Sequence, residues 1–256
     1  VQAFAYETYY LGLRACRRFL RVPANWLSIM FFPLTQLLVF SQLYQQIVFL
    51  PGFGAQTSYL AYLVPGQVAF TAFLAVSWSG TGLLVEYRNG YMDKLRAAPI
   101  SRWSILAGEM VPLFFETAAM SGVLLLVGLL LGASLVTGVG GFVLILLLSG
   151  LFGVAWAGTS FVPALLTRSE QATSALSFLF FPVAFVSTAF VPLSLMPAWM
   201  QTLNAWNPIT YLIEAIRTLL VSGYDWPVLG QALLAMAALG LILQALTFWS
   251  FARLAR

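Results

Sequence analysis

Apolar residues in this chain come in long runs, not in the alternation of a half-buried strand or the one-sided stripe of a soluble helix. Six runs reach the roughly 20 residues that a helix needs to cross a bilayer: 25–46, 60–85, 104–132, 138–166, 172–191 and 227–251. Polar and charged residues gather in the short stretches between them. No connection is long enough for a soluble catalytic domain, and there is no tandem repeat or low-complexity linker. The pattern predicts a single all-α polytopic membrane domain over 1–256 with six transmembrane helices. No secretory-signal pattern opens the sequence, and a first residue of Val leaves the true start of the chain open.

Six spans put both termini on one side. That side receives Arg14, Arg17, Arg18 and Arg21, then Arg88, Lys94, Arg96 and Arg102, then Arg168, then Arg253 and Arg256. Arg217 alone falls on the other side. Basic residues concentrate on the cytoplasmic side of membrane proteins, so both termini are expected in the cytoplasm, with the chain integral to a bacterial inner (plasma) membrane. The four N-terminal arginines follow i, i+3, i+4, i+7 and share one helix face, while Tyr9, Leu13, Cys16 and Leu20 share another. Such a helix, within 1–24 and stopped by Pro23, is expected to lie in the interface with its arginines towards lipid headgroups. It is either a basic anchor or has a further role. The stretch 208–222 is apolar but too short to span, with Pro208 suited to a first helical position and Gly223 to a stop. Region 192–226, broken by Pro197 and Pro208, therefore reads as an external re-entrant hairpin, which survives at membrane depth only when buried in protein or lining a cavity.

Composition narrows the function. The chain is 61% hydrophobic and 8% charged, against roughly 25% charged in an ordinary soluble domain. Without His it has no imidazole metal ligand, His relay or Ser-His-Asp triad. Cys16 is the only cysteine, which excludes intrachain disulfides and Cys-cluster metal sites. Lys94, the only lysine, follows Asp93, so the Gly-Lys-Ser/Thr of a phosphate-binding loop is absent. No catalytic or metal site is expected, and any ATP must be bound by another chain. The net charge of +4 suits a membrane surface better than nucleic acid.

The richest polar stretch joins the second and third runs, 86–102, where six of seventeen residues are charged. Gly90 can end the second span, Tyr91 to Ala98 can form a short surface helix ended by Pro99, and Ser101 can cap the third span. A short helix rigidly joined to two spans is a suitable lever for a partner. The alternative is a solvated loop that only fixes orientation.

Glu86-x-Arg88-x-Gly90-x-x-Asp93-Lys94-Leu95-Arg96-x-x-Pro99-x-Ser101-Arg102, followed by Leu106-x-Gly108, resembles the coupling segment of ABC-2 type transporter permeases. Its middle part looks most like the daunorubicin-type drug-export permeases. Asn207-Pro208-Ile209-Thr210-Tyr211, with Glu214 and Arg217 after it, resembles the late Asn-Pro-Leu-Thr-Tyr signature of the same family. Glu109 departs from the pattern, since many members carry Lys or Arg after the Gly. The resemblance implies a half-transporter. Two permeases, a second copy or a paralogue, would pair with two ABC ATP-binding subunits that hold ATP and Mg. Glu86, Arg88, Gly90, Tyr91, Asp93, Lys94, Arg96, Pro99 and Arg102 would make the coupling contact, with the interfacial helix near it. Asn207, Pro208, Tyr211, Glu214 and Arg217 would form part of an external gate. The expected activity is export of a lipophilic or amphipathic drug, antibiotic or lipid; a lipid-linked saccharide is the alternative cargo.

Some residues keep two readings. Glu116 is the one acid deep in a run, and intramembrane acids are functional candidates by default. It suits a proton-coupled secondary carrier, or else stays protonated and hydrogen-bonded to a neighbouring helix. Glu214 and Arg217, at i, i+3, serve as a gate latch or simply stabilise a helix. Phe70, Phe73 and Ser77 on the second run, and Ser174, Phe178, Phe181 and Phe185 on the fifth, follow helical spacing. They line a substrate path, or pack against protein and lipid.

Overall fold

The computed structural model describes residues 2–21, 23–51, 53, 58–90 and 102–254, and among these the regular structure is entirely helical. The order is α1 (Gln2–Arg21), α2 (Pro23–Leu43), α3 (Tyr59–Ser77), α4 (Ser79–Arg88), α5 (Arg102–Leu130), α6 (Gly138–Trp156), α7 (Gly158–Thr167), α8 (Glu170–Phe178), α9 (Phe181–Phe185), α10 (Ala198–Asn204), α11 (Pro208–Arg217) and α12 (Trp226–Leu254). Single turns of 3₁₀ helix at Gln45–Phe49 and Leu193–Leu195, and a π-helical turn at Thr218–Ser222, complete it.

Among the described residues, five helical stretches are long and apolar enough to cross a membrane: Trp26–Leu43, Tyr59–Arg88, Trp103–Leu130, Gly138–Thr167 and Trp226–Arg253. The outer faces of α2 and α12 carry Leu27, Phe31, Phe32, Leu38, Leu234, Leu241 and Ile242, all of them half-exposed or more. So much contiguous exposed apolar surface belongs in lipid or against another membrane helix. The chain is a multi-pass membrane protein.

The expected fifth span, 172–191, is not one uninterrupted helix. It is split into α8 and α9, with turn residues at Leu179 and Phe180, and the chain beyond α9 is irregular. Pro182 explains the split, because proline lacks the N–H that would bond back to Phe178 and disfavours helical backbone in the residue before it. The other two helices of the central layer are also interrupted. Trp78, at φ −115° and ψ 14°, separates α3 from α4, and the single turn residue Ala157 separates α6 from α7. The pieces on the charged side of these breaks are 10, 10 and 9 residues long, about 15 Å of helix each, so the three interruptions lie at similar depth.

The pieces pack on one another. The Gly80 N–H donates to Ser160 Oγ at 2.9 Å, and Ser177 Oγ bonds Ser160 Oγ at 3.4 Å, joining α4, α7 and α8 in one buried node. Gly80 is where α4 touches α7: a Cβ there would overlap the Ser160 carbonyl. The core above this layer is aromatic, with Phe70 and Phe73 fully buried against Trp156, Phe181 and Phe185.

The N-terminal helix does not stand apart. It runs alongside the first turns of α5, where a Cβ on Gly108 would lie 2.6 Å from Leu11 Cβ and one on Gly12 2.8 Å from Val111. Those two glycines set the packing stripe at Leu11 and Gly12, leaving Tyr9 on the outside.

Candidate functional site

At the end of the bundle that carries Arg88, Arg168 and Glu170, side chains tie separate helices together. Glu86, two residues before the end of α4, is buried, and Arg14 of α1 reaches its carboxylate at 3.5 Å. Arg88, the last residue of α4, pairs with Glu170 at the start of α8 at 2.8 Å. Ser104 of α5 donates to Glu7 of α1 at 2.6 Å. Gly90 follows with φ +69°, a left-handed conformation that favours glycine and lets the chain leave α4 sharply. Residues 91–101, with Tyr91, Asp93, Lys94, Arg96 and Pro99, lie outside the described residues. Arg102 opens α5. Arg14, Arg17 and Arg21 are exposed along α1, and the Arg18 side chain is outside the described set.

Just inside this end lies a cavity of about 610 Å³ between the start of α2, the α3–α4 break and the first half of α5. Trp26, Trp78, Ser79, Thr81, Glu109 and Glu116 are among its lining residues. Glu116 is half-buried there. It lies near Cys16 of α1, whose thiol is pushed up from its ordinary value by burial and, secondly, by the Glu116 carboxylate.

The opposite end holds a second network. Beyond α9 the backbone loses its ladder, and buried carbonyls of this kind require partners. Tyr62 Oη donates to the Thr188 carbonyl at 2.8 Å and Tyr59 Oη to the Phe190 carbonyl at 3.2 Å. Asn207 Nδ2 donates to the Val183 carbonyl at 2.7 Å, and Asn204 Nδ2 to that of Val186. Asn207 also caps α11, accepting from the Ile209 N–H at 3.0 Å, with Pro208 in the first turn. Tyr211 Oη donates to the Ala205 carbonyl at 2.8 Å. Arg217 closes the network. Its guanidinium pairs with Glu214, donates to the Thr188 carbonyl at 2.8 Å and lies 4.1 Å from the centre of the Tyr62 ring. Thr188 Oγ1 donates to the same Glu214 carboxylate at 2.7 Å. The five residues of the late motif are thus brought together with Tyr62, Thr188 and Asn204, which carry no motif of their own.

The two aromatic stripes are placed differently. Phe70, Phe73 and Ser77 are buried, the Ser77 hydroxyl donating to the Phe73 carbonyl at 2.7 Å. Phe178 and Phe185 are exposed on the outer surface, and Phe181 and Ser174 are half-buried. None of the seven lines the cavity. No pattern in the sequence distinguishes Glu170 or Trp78, and Glu109 is marked only as a departure from the family pattern. The signal for the acids was their rarity, eight in the chain.

The sequence profile described as ABC-2 type transporter matches residues 6–221. The transport permease ycf38 of Cyanophora paradoxa is 32% identical over 222 residues, covering 84% of this chain and 74% of the relative. The daunorubicin resistance ABC transporter permease protein DrrB1 of Streptomyces coeruleorubidus is 28% identical over 240 residues, covering 91% and 82%.

Proposed function

The chain belongs to the ABC-2 type transporter family, and from that membership we propose that it is the permease half of an ATP-driven exporter. It is a transport subunit. Two copies, or this chain and a paralogue, pair with two ABC ATP-binding subunits that hold ATP and Mg, in the inner membrane of a bacterium. The charged end faces the cytoplasm, with six passages through the membrane, the fifth made by the broken α8–α9 segment and followed by a re-entrant hairpin. Cargo is lipophilic or amphipathic, a reading that the drug-resistance relative supports.

The observation that carries this reading is the bracing of both flanks of the coupling segment. Glu86 and Arg88 stand at its start and Ser104 just after its end; side chains tie Glu86 and Ser104 to α1 and Arg88 to α8. A push on 91–101 therefore reaches α1, α4, α5 and α8 together. At the far end, the Arg217 network is the external gate. Purification from native membranes tests the assignment: two permeases with two ATP-binding chains and vanadate-sensitive ATP hydrolysis are expected. A chain that emerges alone and inert towards ATP would refute it and favour a proton-coupled carrier acting through Glu116.

Two variants test the lever. Glu86→Ala is expected to abolish substrate-stimulated ATP hydrolysis while the complex still assembles; stimulation at the wild-type level would remove Glu86 from the coupling path. Arg88→Glu and Glu170→Arg should each weaken transport, and the exchanged double variant should recover it. The pair is 57% and 35% exposed, and such pairs contribute less than about 1 kcal/mol to stability, so melting should stay near wild type throughout. No recovery in the double variant would mean the pair transmits nothing.

A further inference from the structure

The N-terminal helix α1 has two unlike faces. Leu11 and Gly12 close onto α5, where a Cβ added to Gly12 or Gly108 would collide. The Ser104 hydroxyl donates to Glu7, the only acid of the helix, at 2.6 Å. On the outer side, Tyr6, Tyr10, Arg14, Arg17 and Arg21 follow one another at steps of four, four, three and four residues, which keeps them on one face. All five are exposed. The Tyr6 and Tyr10 rings pack at 4.5 Å, and Tyr9 stands edge-on to Tyr10 at 5.4 Å. Arg14 reaches Glu86. Among the described residues, no carboxylate pairs with Arg17 or Arg21.

Helix lengths set the height of this stripe in the bilayer. α3 and α6 are each 19 residues long, about 28 Å, close to the roughly 30 Å of hydrocarbon that a span must cross. Their ends at the breaks, Ser77 and Trp156, therefore lie at the edge of the hydrocarbon, and α4 beyond it belongs to the headgroup layer and the adjoining water. Arg14 meets α4 near its far end, at Glu86. Arg21 lies two residues before α2 begins, and Leu27 and Phe31 of α2 are already open to lipid. The arginines thus run between the apolar surface of α2 and the outer end of α4, at headgroup height.

The side chains select the occupant. Guanidinium forks match phosphate oxygens, and tyrosines gather where a side chain meets apolar surface at one end and water at the other. An acidic protein would answer the arginines alone, whereas a lipid answers both residue types. Phosphatidylcholine brings its own cation, which the stripe repels; a headgroup with net negative charge does not. We propose that the outer stripe of α1 is a binding site for anionic phospholipid of the leaflet on the charged side, with Arg17 and Arg21 holding the phosphate. Because Arg14 belongs both to the stripe and to the Glu86 contact, the bound headgroup lies beside the start of the coupling segment. The binding itself does not depend on the permease reading.

The test uses the full chain in detergent and native mass spectrometry, with dioleoyl phosphatidylglycerol and dioleoyl phosphatidylcholine titrated separately. The first phosphatidylglycerol should bind on the order of tenfold more tightly than the first phosphatidylcholine, about 1.4 kcal/mol. The gap should narrow as ammonium acetate is raised. In Arg17→Gln/Arg21→Gln it should close to about twofold, with melting near wild type because both side chains are exposed. Arg253→Gln, at the end of α12, should keep the gap, since that guanidinium is already engaged over the Trp249 ring at 3.9 Å. Equal affinity of the two lipids for wild type, a preference indifferent to salt, or a preference that survives in the double variant would overturn the proposal. So would a preference lost equally in Arg253→Gln, because it would then belong to the basic end as a whole. Capture of an ATP-binding chain that fails in the double variant while phosphatidylglycerol binding is kept would assign the stripe to an acidic protein surface and overturn it as well. No ATPase is needed for the lipid titrations. A negative result there removes the lipid site and leaves the permease assignment standing, whereas a missing ATPase partner in wild type removes the permease assignment alone.

Discussion

Gly80→Ala is expected to lower the melting temperature of the purified chain sharply, while Gly82→Ala, two residues along the same helix, leaves it near wild type. An alanine Cβ at 80 would overlap the backbone carbonyl of Ser160, which no side-chain rotation can move aside. At 82 there is nothing within 4 Å. Separating α4 from α7 costs about 1–3 kcal/mol as overpacking. It also stretches the buried Gly80 N–H to Ser160 Oγ hydrogen bond, and a donor left unsatisfied there adds about 1–3 kcal/mol. Alanine at 82 carries neither penalty and gains up to about 1 kcal/mol in helix propensity. Because Ser160 also bonds Ser177, transport should fall with stability in Gly80→Ala. Melting of Gly80→Ala equal to wild type would mean that α4 and α7 do not meet at this residue.

That node marks where the sequence stops being informative. Long apolar runs gave α2, α5 and α12 to within a few residues of 25–46, 104–132 and 227–251, since burial in lipid demands only length and hydropathy. Asn207-Pro208 gave the start of α11 because a cap and a first-turn proline are local chemistry. The break in 172–191 was written in Pro182, but a count of apolar residues is blind to a missing N–H. The contacts that define the sites are a harder case. Arg88 and Glu170 are 82 residues apart in the chain, and Gly80 and Ser160 are 80 apart, so nothing local distinguishes them from any other residue of their type. Helical spacing put Phe70 and Phe178 in equivalent stripes, yet one is enclosed and the other faces outward; in a chain this apolar, hydropathy does not separate protein contact from lipid contact. Glu109 stood out as a departure from a family pattern, and its place on a cavity wall became visible only with α2 and α4 packed against α5.

Arg217→Ala should be the most damaging change at the other end of the bundle. The guanidinium is 11% exposed and Glu214 40% exposed, so the pair is half-desolvated. Breaking a buried pair costs about 3–5 kcal/mol, and the solvated carboxylate puts this one at about 3 kcal/mol. The loss has three parts. Glu214 keeps only Thr188 Oγ1 of the hydrogen-bond partners in this network, the Thr188 carbonyl keeps only Tyr62, and the Tyr62 ring loses its cation. Arg217→Lys retains the charge without the planar fork that reaches Glu214 and Thr188 together, and should fall between wild type and alanine. Tyr62→Phe removes one hydrogen bond but keeps the ring under the cation, and should cost about 1 kcal/mol. The expected order of melting temperatures is wild type, Tyr62→Phe, Arg217→Lys, Arg217→Ala. Combining Arg217→Ala with Tyr62→Phe should cost more than the sum, because the Thr188 carbonyl keeps one donor in each single variant and neither of the two in the double. A gate adds one requirement that a helix brace does not. Arg217→Ala should change transport by the assembled complex while ATPase binding persists, because the network joins α3, the chain after α9 and α11 far from the charged end. Transport scaling with melting temperature across the four proteins would reduce Arg217 to a brace. Transport lost in Arg217→Lys, with most of the stability kept, would identify the forked contact itself as the latch.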